Sequence, residues 1–141
     1  MNHNGPIIVI EDDKDDQEML SSIFSDLNVN NEVIFFSDGL SAFDYLVDTD
    51  QHPFLILSDI NMPKMNGFEL KQKIEEKELL RLKCIPYLFF TTSADPKSVL
   101  DAYSRSIQGY FKKPTNHTEL KQVVKNIIDY WKVCHAPVIT T

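Results

Sequence analysis

The sequence predicts an α/β domain with a parallel sheet covered by helices on both faces. Three observations carry this. Short continuous apolar runs, such as Ile7-Ile-Val-Ile10 and Phe54-Leu-Ile-Leu57, read as strands buried on both faces. Between them lie segments whose apolar residues recur at helical spacing, as Met19, Leu20, Ile23, Phe24 and Leu27 do. The two patterns alternate along the whole chain, with no internal repeat, low-complexity stretch or Gly/Ser linker. Strands that alternate with helices form parallel sheets with right-handed crossovers. Such sheets bind ligands at the carboxyl ends of their strands, where the strand order reverses.

In chain order, residues 7–10 form the first strand and end in Glu11-Asp12-Asp13. A helix from Asp15 to Leu27 follows, with Asp15 and Glu18 spaced as a capping pair. Asn28 to Asn31 breaks it, and residues 33–36 form the second strand. Ser37-Asp-Gly39 turns into a short helix carrying Leu40, Phe43 and Leu46. The central strand, 54–58, ends at Asp59, and Pro63 and Gly67 force a loop before the next element. Phe68 to Leu80 reads as one exposed helix, with Glu69 and Lys73 at i,i+4. Residues 87–90 form the fourth strand. Asp95-Pro96 then starts a helix, acceptor first and Pro in the first turn, with Val99, Leu100 and Tyr103 expected to face inward. Residues 109–111 form a short fifth strand, and Asn116 with Glu119 opens a last helix whose stripe is Leu120, Val123, Val124, Ile127, Ile128 and Trp131. One domain is expected over 7–134, with a flexible lead at 1–6 and a flexible tail at 135–141.

Length and composition fit this reading. A chain of 141 residues, 43% hydrophobic and 25% charged, suits one globular domain. No apolar run approaches the roughly 20 residues that span a bilayer, and Met1 to Pro6 lack a signal peptide's basic start. A cytoplasmic protein with no membrane contact is therefore expected. Cys84 and Cys134 have no metal-type spacing. A net charge of −7 argues against nucleic-acid binding. That charge is uneven: residues 1–66 hold 13 acids against 2 lysines, whereas 67–141 hold 8 acids against 12 bases.

The strand ends carry the chemistry. Strand one ends in Glu11-Asp12-Asp13, strand three in Asp59, strand four in Thr91-Thr92-Ser93 and strand five in Lys112-Lys113. Clustered carboxylates repel unless a cation neutralises them. Oxygen ligands from side chains and a loop carbonyl suit Mg²⁺. A lysine and a threonine hydroxyl suit an anion. Metal, anion clamp and carboxylate nucleophile together point to phosphoryl transfer onto an aspartate. Plainer readings stand beside these: Asp59 as a turn cap, Asp13 as a helix-start acid, Tyr110 as an edge-strand aromatic, Lys112 as a surface charge. His3, His52, His117 and His135 have no ligand spacing.

Four segments together, Ile7-Ile-Val-Ile-Glu-Asp-Asp13, Leu57-Ser-Asp-Ile-Asn-Met-Pro-Lys-Met-Asn-Gly67, Phe90-Thr-Thr-Ser93 and Gly109-Tyr-Phe-Lys-Lys-Pro114, resemble the response-regulator receiver domains of two-component systems, of the chemotaxis type. The resemblance covers about the whole chain. It implies a flavodoxin-like (βα)5 sheet of order 2-1-3-4-5. It implies Asp59 as phosphoacceptor and Mg²⁺ held by Asp12, Asp59, the backbone carbonyl of Asn61 and, through water, Glu11. Thr91 and Lys113 would hold the phosphoryl group, Thr91 and Tyr110 would form the switch, and Lys113-Pro114 would be a cis peptide. The donor would be a sensor histidine kinase or a histidine phosphotransfer protein. Output would pass to a downstream protein through the fourth helix, fifth strand and fifth helix. Such a domain is not an enzyme on other molecules, although it catalyses its own phosphorylation and dephosphorylation. A homodimer is left open. Glu11 stands where Asp is commoner, and Thr92 where a smaller residue is usual. Rival readings are an aspartate-nucleophile phosphatase, a nucleotide or flavin carrier, and a receiver acting without phosphate. Asn61 two residues after Asp59, the missing Gly-rich loop after strand one, and the intact acids weigh against them in turn.

Overall fold

The computed structural model describes residues 1–92 and 94–137. Its strands are β1 (Ile7–Ile10), β2 (Val33–Phe36), β3 (Leu55–Ser58), β4 (Tyr87–Thr91) and β5 (Gly109–Lys112). Its helices are α1 (Lys14–Asp26), α2 (Gly39–Asp48), α3 (Gly67–Glu76), α4 (Glu78–Leu82), α5 (Pro96–Ser104) and α6 (His117–Val133). The sheet order is β2-β1-β3-β4-β5 and every pairing is parallel. This is the expected fold, and it sets the carboxyl ends of β1 and β3 side by side, Ile10 opposite Ser58.

Successive strand residues point to opposite faces, so each strand feeds two cores. Ile7, Val9, Leu55, Leu57, Leu88 and Phe90 pack with Leu20, Ile23 and Phe24 of α1 and with Leu120, Val124 and Ile127 of α6. Ile8, Ile10, Ile56 and Phe89 pack with Ala42 and Leu46 of α2, Leu70 and Ile74 of α3, Leu80 of α4 and Ala102 of α5. Burial on both faces is why β1, β3 and β4 read as unbroken apolar runs.

Several local expectations are overturned. Asp13, not Asp15, caps α1: its carboxylate accepts from the backbone N–H groups of Asp15 (2.8 Å) and Asp16 (3.1 Å). The helix expected over 68–80 breaks at Lys77, whose φ of −94° and ψ of 109° are extended. Restarting the helix there turns Leu80 into the core and leaves Leu79 and Leu82 exposed. Glu69 reaches back to the N–H of Asn66 in a capping box, with Asn66 as N-cap. In α5 only Ala102 is fully buried; Leu100 and Tyr103 face solvent, because the helix presents its Ala102 side to the sheet.

The lead at 1–6, expected to be flexible, is tied down. Asn31 Nδ2 donates to the carbonyls of His3 (2.9 Å) and Gly5 (2.7 Å), Phe54 N–H donates to Pro6 O (2.8 Å), and the Met1 side chain is buried in the core with α1 and α6. The apolar Met1 and the carbonyls of this segment find partners that its composition does not advertise. Of the tail expected at 135–141, residues 138–141 lie outside the described residues, as does Ser93 at the end of β4. Among the described residues no helix is long and apolar enough to cross a membrane.

Candidate functional site

The site lies where β1, β3, β4 and β5 end. Asp59 follows Ser58 directly, and its N–H donates to Ile10 O at 3.0 Å, which locks the end of β3 onto β1. Its Oδ1 accepts from the N–H of Ile60 at 2.7 Å, which leaves Oδ2 turned toward Lys113. The loop after it folds back tightly: Gly67 N–H donates to Ile60 O at 2.8 Å. Asn61 sits exposed at the start of that loop.

One carboxylate oxygen each from Glu11, Asp12 and Asp59 lies within 4.8 Å of the other two. That oxygen-only set, on the ends of two neighbouring strands, has the donor chemistry of a hard divalent cation. Asp12 is exposed and Asp59 half-buried, whereas Glu11 is buried. Both Glu11 oxygens are engaged: Oε1 accepts from the N–H of Asp13 at 3.1 Å, and Oε2 from Lys113 Nζ at 2.5 Å.

Lys113 is the positive counterpart. Its N–H donates to Thr91 O at 2.7 Å, which carries the β4–β5 ladder one residue past the strand and aims the side chain back across the site. Nζ lies 3.3 Å from Asp16 Oδ2 and 3.9 Å from Asp59 Oδ2. Burial alone lowers a lysine, but the hydrogen bond to Glu11 and the charges of Glu11, Asp59 and Asp16 outweigh it and hold the ammonium above its usual range. Burial also dominates at Glu11 and pushes its carboxyl up to about 7 against the opposing pull of Lys113.

Thr91 is buried at the end of β4, beside Lys112 in the β4–β5 register. Tyr110, on β5, is half-buried with its ring 6.0 Å from that of Phe89, edge to face. Desolvation, then the charges of Asp95 and Asp59, raise its phenol. The predicted residues Glu11, Asp12, Asp59 and Lys113 therefore meet at one place. The Lys113-Pro114 peptide is a correction: it is trans, as every described peptide bond is, in keeping with the trans preference of about 0.5–1 kcal/mol at X-Pro bonds. Asp16 was not anticipated. No local pattern pointed to it, because Asp12 precedes α1 and the partner of Asp16, Lys113, stands 97 residues away.

A doubly wound sheet thus carries three acids and a lysine at the carboxyl edge of β1, β3 and β5. The comparisons agree. Residues 7–125 match the response regulator receiver domain family. The chain is 30% identical over 130 residues to the response regulator Rcp1 of Synechocystis, covering 89% of this chain and 87% of that protein. The crystal structure of the phosphorylated cyanobacterial phytochrome response regulator RcpA superposes with a TM-score of 0.83 at 28% identity, covering 94% of this chain and 98% of that one. The Mn²⁺-bound form of Rcp1 superposes with a TM-score of 0.80 at 28% identity, covering 94% and 99%. This chain belongs to the response regulator receiver domain family, a family of two-component signalling domains.

Proposed function

We propose that this chain works as a single-domain response regulator that takes a phosphoryl group onto Asp59 from a phosphohistidine of a sensor kinase or phosphotransfer protein. The observation that carries the reading is the approach of Lys113 Nζ to within 3.9 Å of Asp59 Oδ2, beside the carboxylates of Glu11 and Asp12. The match to the response regulator Rcp1 over 87% of that protein's length supports the response-regulator reading. Mg²⁺ would be held by Asp12, Asp59 and the Asn61 carbonyl, with Glu11 acting through water, and would neutralise charge on the phosphoryl oxygens. An Asp59 carboxylate oxygen attacks phosphorus, the P–N bond to the donor imidazole breaks, and its electrons stay on that imidazole. Lys113 pairs with the transferred group and the Thr91 hydroxyl donates to it. Tyr110 then moves inward, and the face built from α5, β5 and α6 changes for a protein partner. Two states separated by a few kcal/mol suffice for a phosphoryl group to shift them.

The test is intact mass after incubation with Mg²⁺ and acetyl phosphate, with Asp59→Asn alongside. The expected result is one phosphoryl group on the wild type and none on the variant. An unlabelled wild type that still binds Mg²⁺ would replace this reading with that of a receiver working without phosphate.

A further inference from the structure

Lys113 has more partners than the phosphoacceptor reading needs. Its side chain is only 6% exposed, so its three N–H donors must find acceptors within the protein. They face three carboxylates at unequal distances: Glu11 at 2.5 Å, Asp16 at 3.3 Å and Asp59 at 3.9 Å. The ammonium therefore sits nearest the two acids that are not the phosphoacceptor. The two are not equivalent. The Glu11 side chain is 4% exposed and loses a buried cation if Lys113 leaves, whereas that of Asp16 is 37% exposed and can exchange an ammonium for water.

We propose that Asp16 is a positioning residue for phosphoryl transfer: with Glu11 it holds the Lys113 ammonium short of Asp59, and it releases that ammonium when charge grows on Asp59. The proposal rests on the phosphoacceptor reading and deepens it. Before transfer, the parked ammonium contacts Glu11 but stands 3.9 Å from Asp59 Oδ2, which favours a divalent cation beside Asp59. After transfer, the phosphoryl group adds charge at Asp59, and Asp16 is the partner that yields Lys113 at least cost. Asp16 thus favours the cation and opposes the anion.

Two ligands separate these effects: Mg²⁺ alone, and beryllofluoride, a phosphoryl mimic that binds an aspartate oxygen, at saturating Mg²⁺. Asp16→Asn should weaken Mg²⁺ and tighten beryllofluoride, each by about two- to fivefold, the range of a partly exposed ion pair. Asp15→Asn removes a charge from the same helical turn without touching Lys113, and should change neither. In a Lys113→Ala background, Asp16→Asn should no longer tighten beryllofluoride, because the effect passes through the lysine. Asp16→Glu should restore wild-type values. Equal effects from Asp15→Asn and Asp16→Asn, or an undiminished Asp16→Asn effect without Lys113, would overturn the proposal by reducing Asp16 to a general field or helix-dipole charge. If wild-type protein binds Mg²⁺ but not beryllofluoride, the phosphoacceptor reading fails instead, and the Mg²⁺ arm still judges Asp16.

Discussion

Gly67 leaves no room behind Asp59. A Cβ at this position would stand 2.5 Å from Asp59 O and 2.6 Å from Phe89 Cε1. The first is a backbone atom that moves only if Asp59 moves. Gly67→Ala should therefore lower stability by roughly 1–3 kcal/mol, as overpacking does, and weaken Mg²⁺ binding as well. Urea unfolding and a Mg²⁺ titration check the two parts. Lost stability with unchanged Mg²⁺ affinity would mean that the loop does not fix Asp59. The acids and Lys113 were legible one residue at a time, because strand ends announce themselves in an alternating chain. Asp16 was not, because its partner stands 97 residues away and no local pattern refers to it.

At the scale of elements, caps decided more than propensity did. Asn116 and Asp95-Pro96 were readable as helix starts, and both act so: Asn116 accepts from Glu119 N–H at 3.2 Å and Asp95 from Ser98 N–H at 3.0 Å. At α1 the end of β1 delivers the chain two residues earlier than the Asp15–Glu18 spacing suggests, so Asp13 takes the cap. Asn66 caps α3, whose first turn follows the loop that carries Asp59's neighbours. Asn66→Ala should cost about 1 kcal/mol and Asn66→Gly only a few tenths, read from denaturant midpoints. Equal costs would show that the side-chain cap adds little here. The break at Lys77 was not legible, since no proline or glycine marks it. It exists because Ile74 and Leu80 both need the same core, and one straight helix does not present both.

At the scale of the molecule, charge and fold are coupled. The first half of the chain carries 13 acids, and the sheet gathers three of them within 4.8 Å. A cation bound there stabilises the folded state alone, by about 2.7 kcal/mol at a hundred times its Kd. Mg²⁺ should therefore raise the melting temperature reversibly, chelator should return it, and Asp59→Asn should shrink the shift. Thermal unfolding with and without Mg²⁺ measures this. A wild type whose melting ignores Mg²⁺ would contradict the metal assignment.

By itself the sequence determined the strands and most of the helices, the parallel sheet, and four of the residues that meet at its edge, because burial on both faces and helical periodicity are local patterns. Only the tertiary structure decided how those charges share partners. The distances from Lys113 to Glu11, Asp16 and Asp59 depend on three strand ends and a helix cap meeting in space. The docking of residues 1–6, the outward face of α5 and the break at Lys77 were decided the same way. Each is settled by which distant surface wins a side chain, and that competition leaves no mark on neighbouring residues.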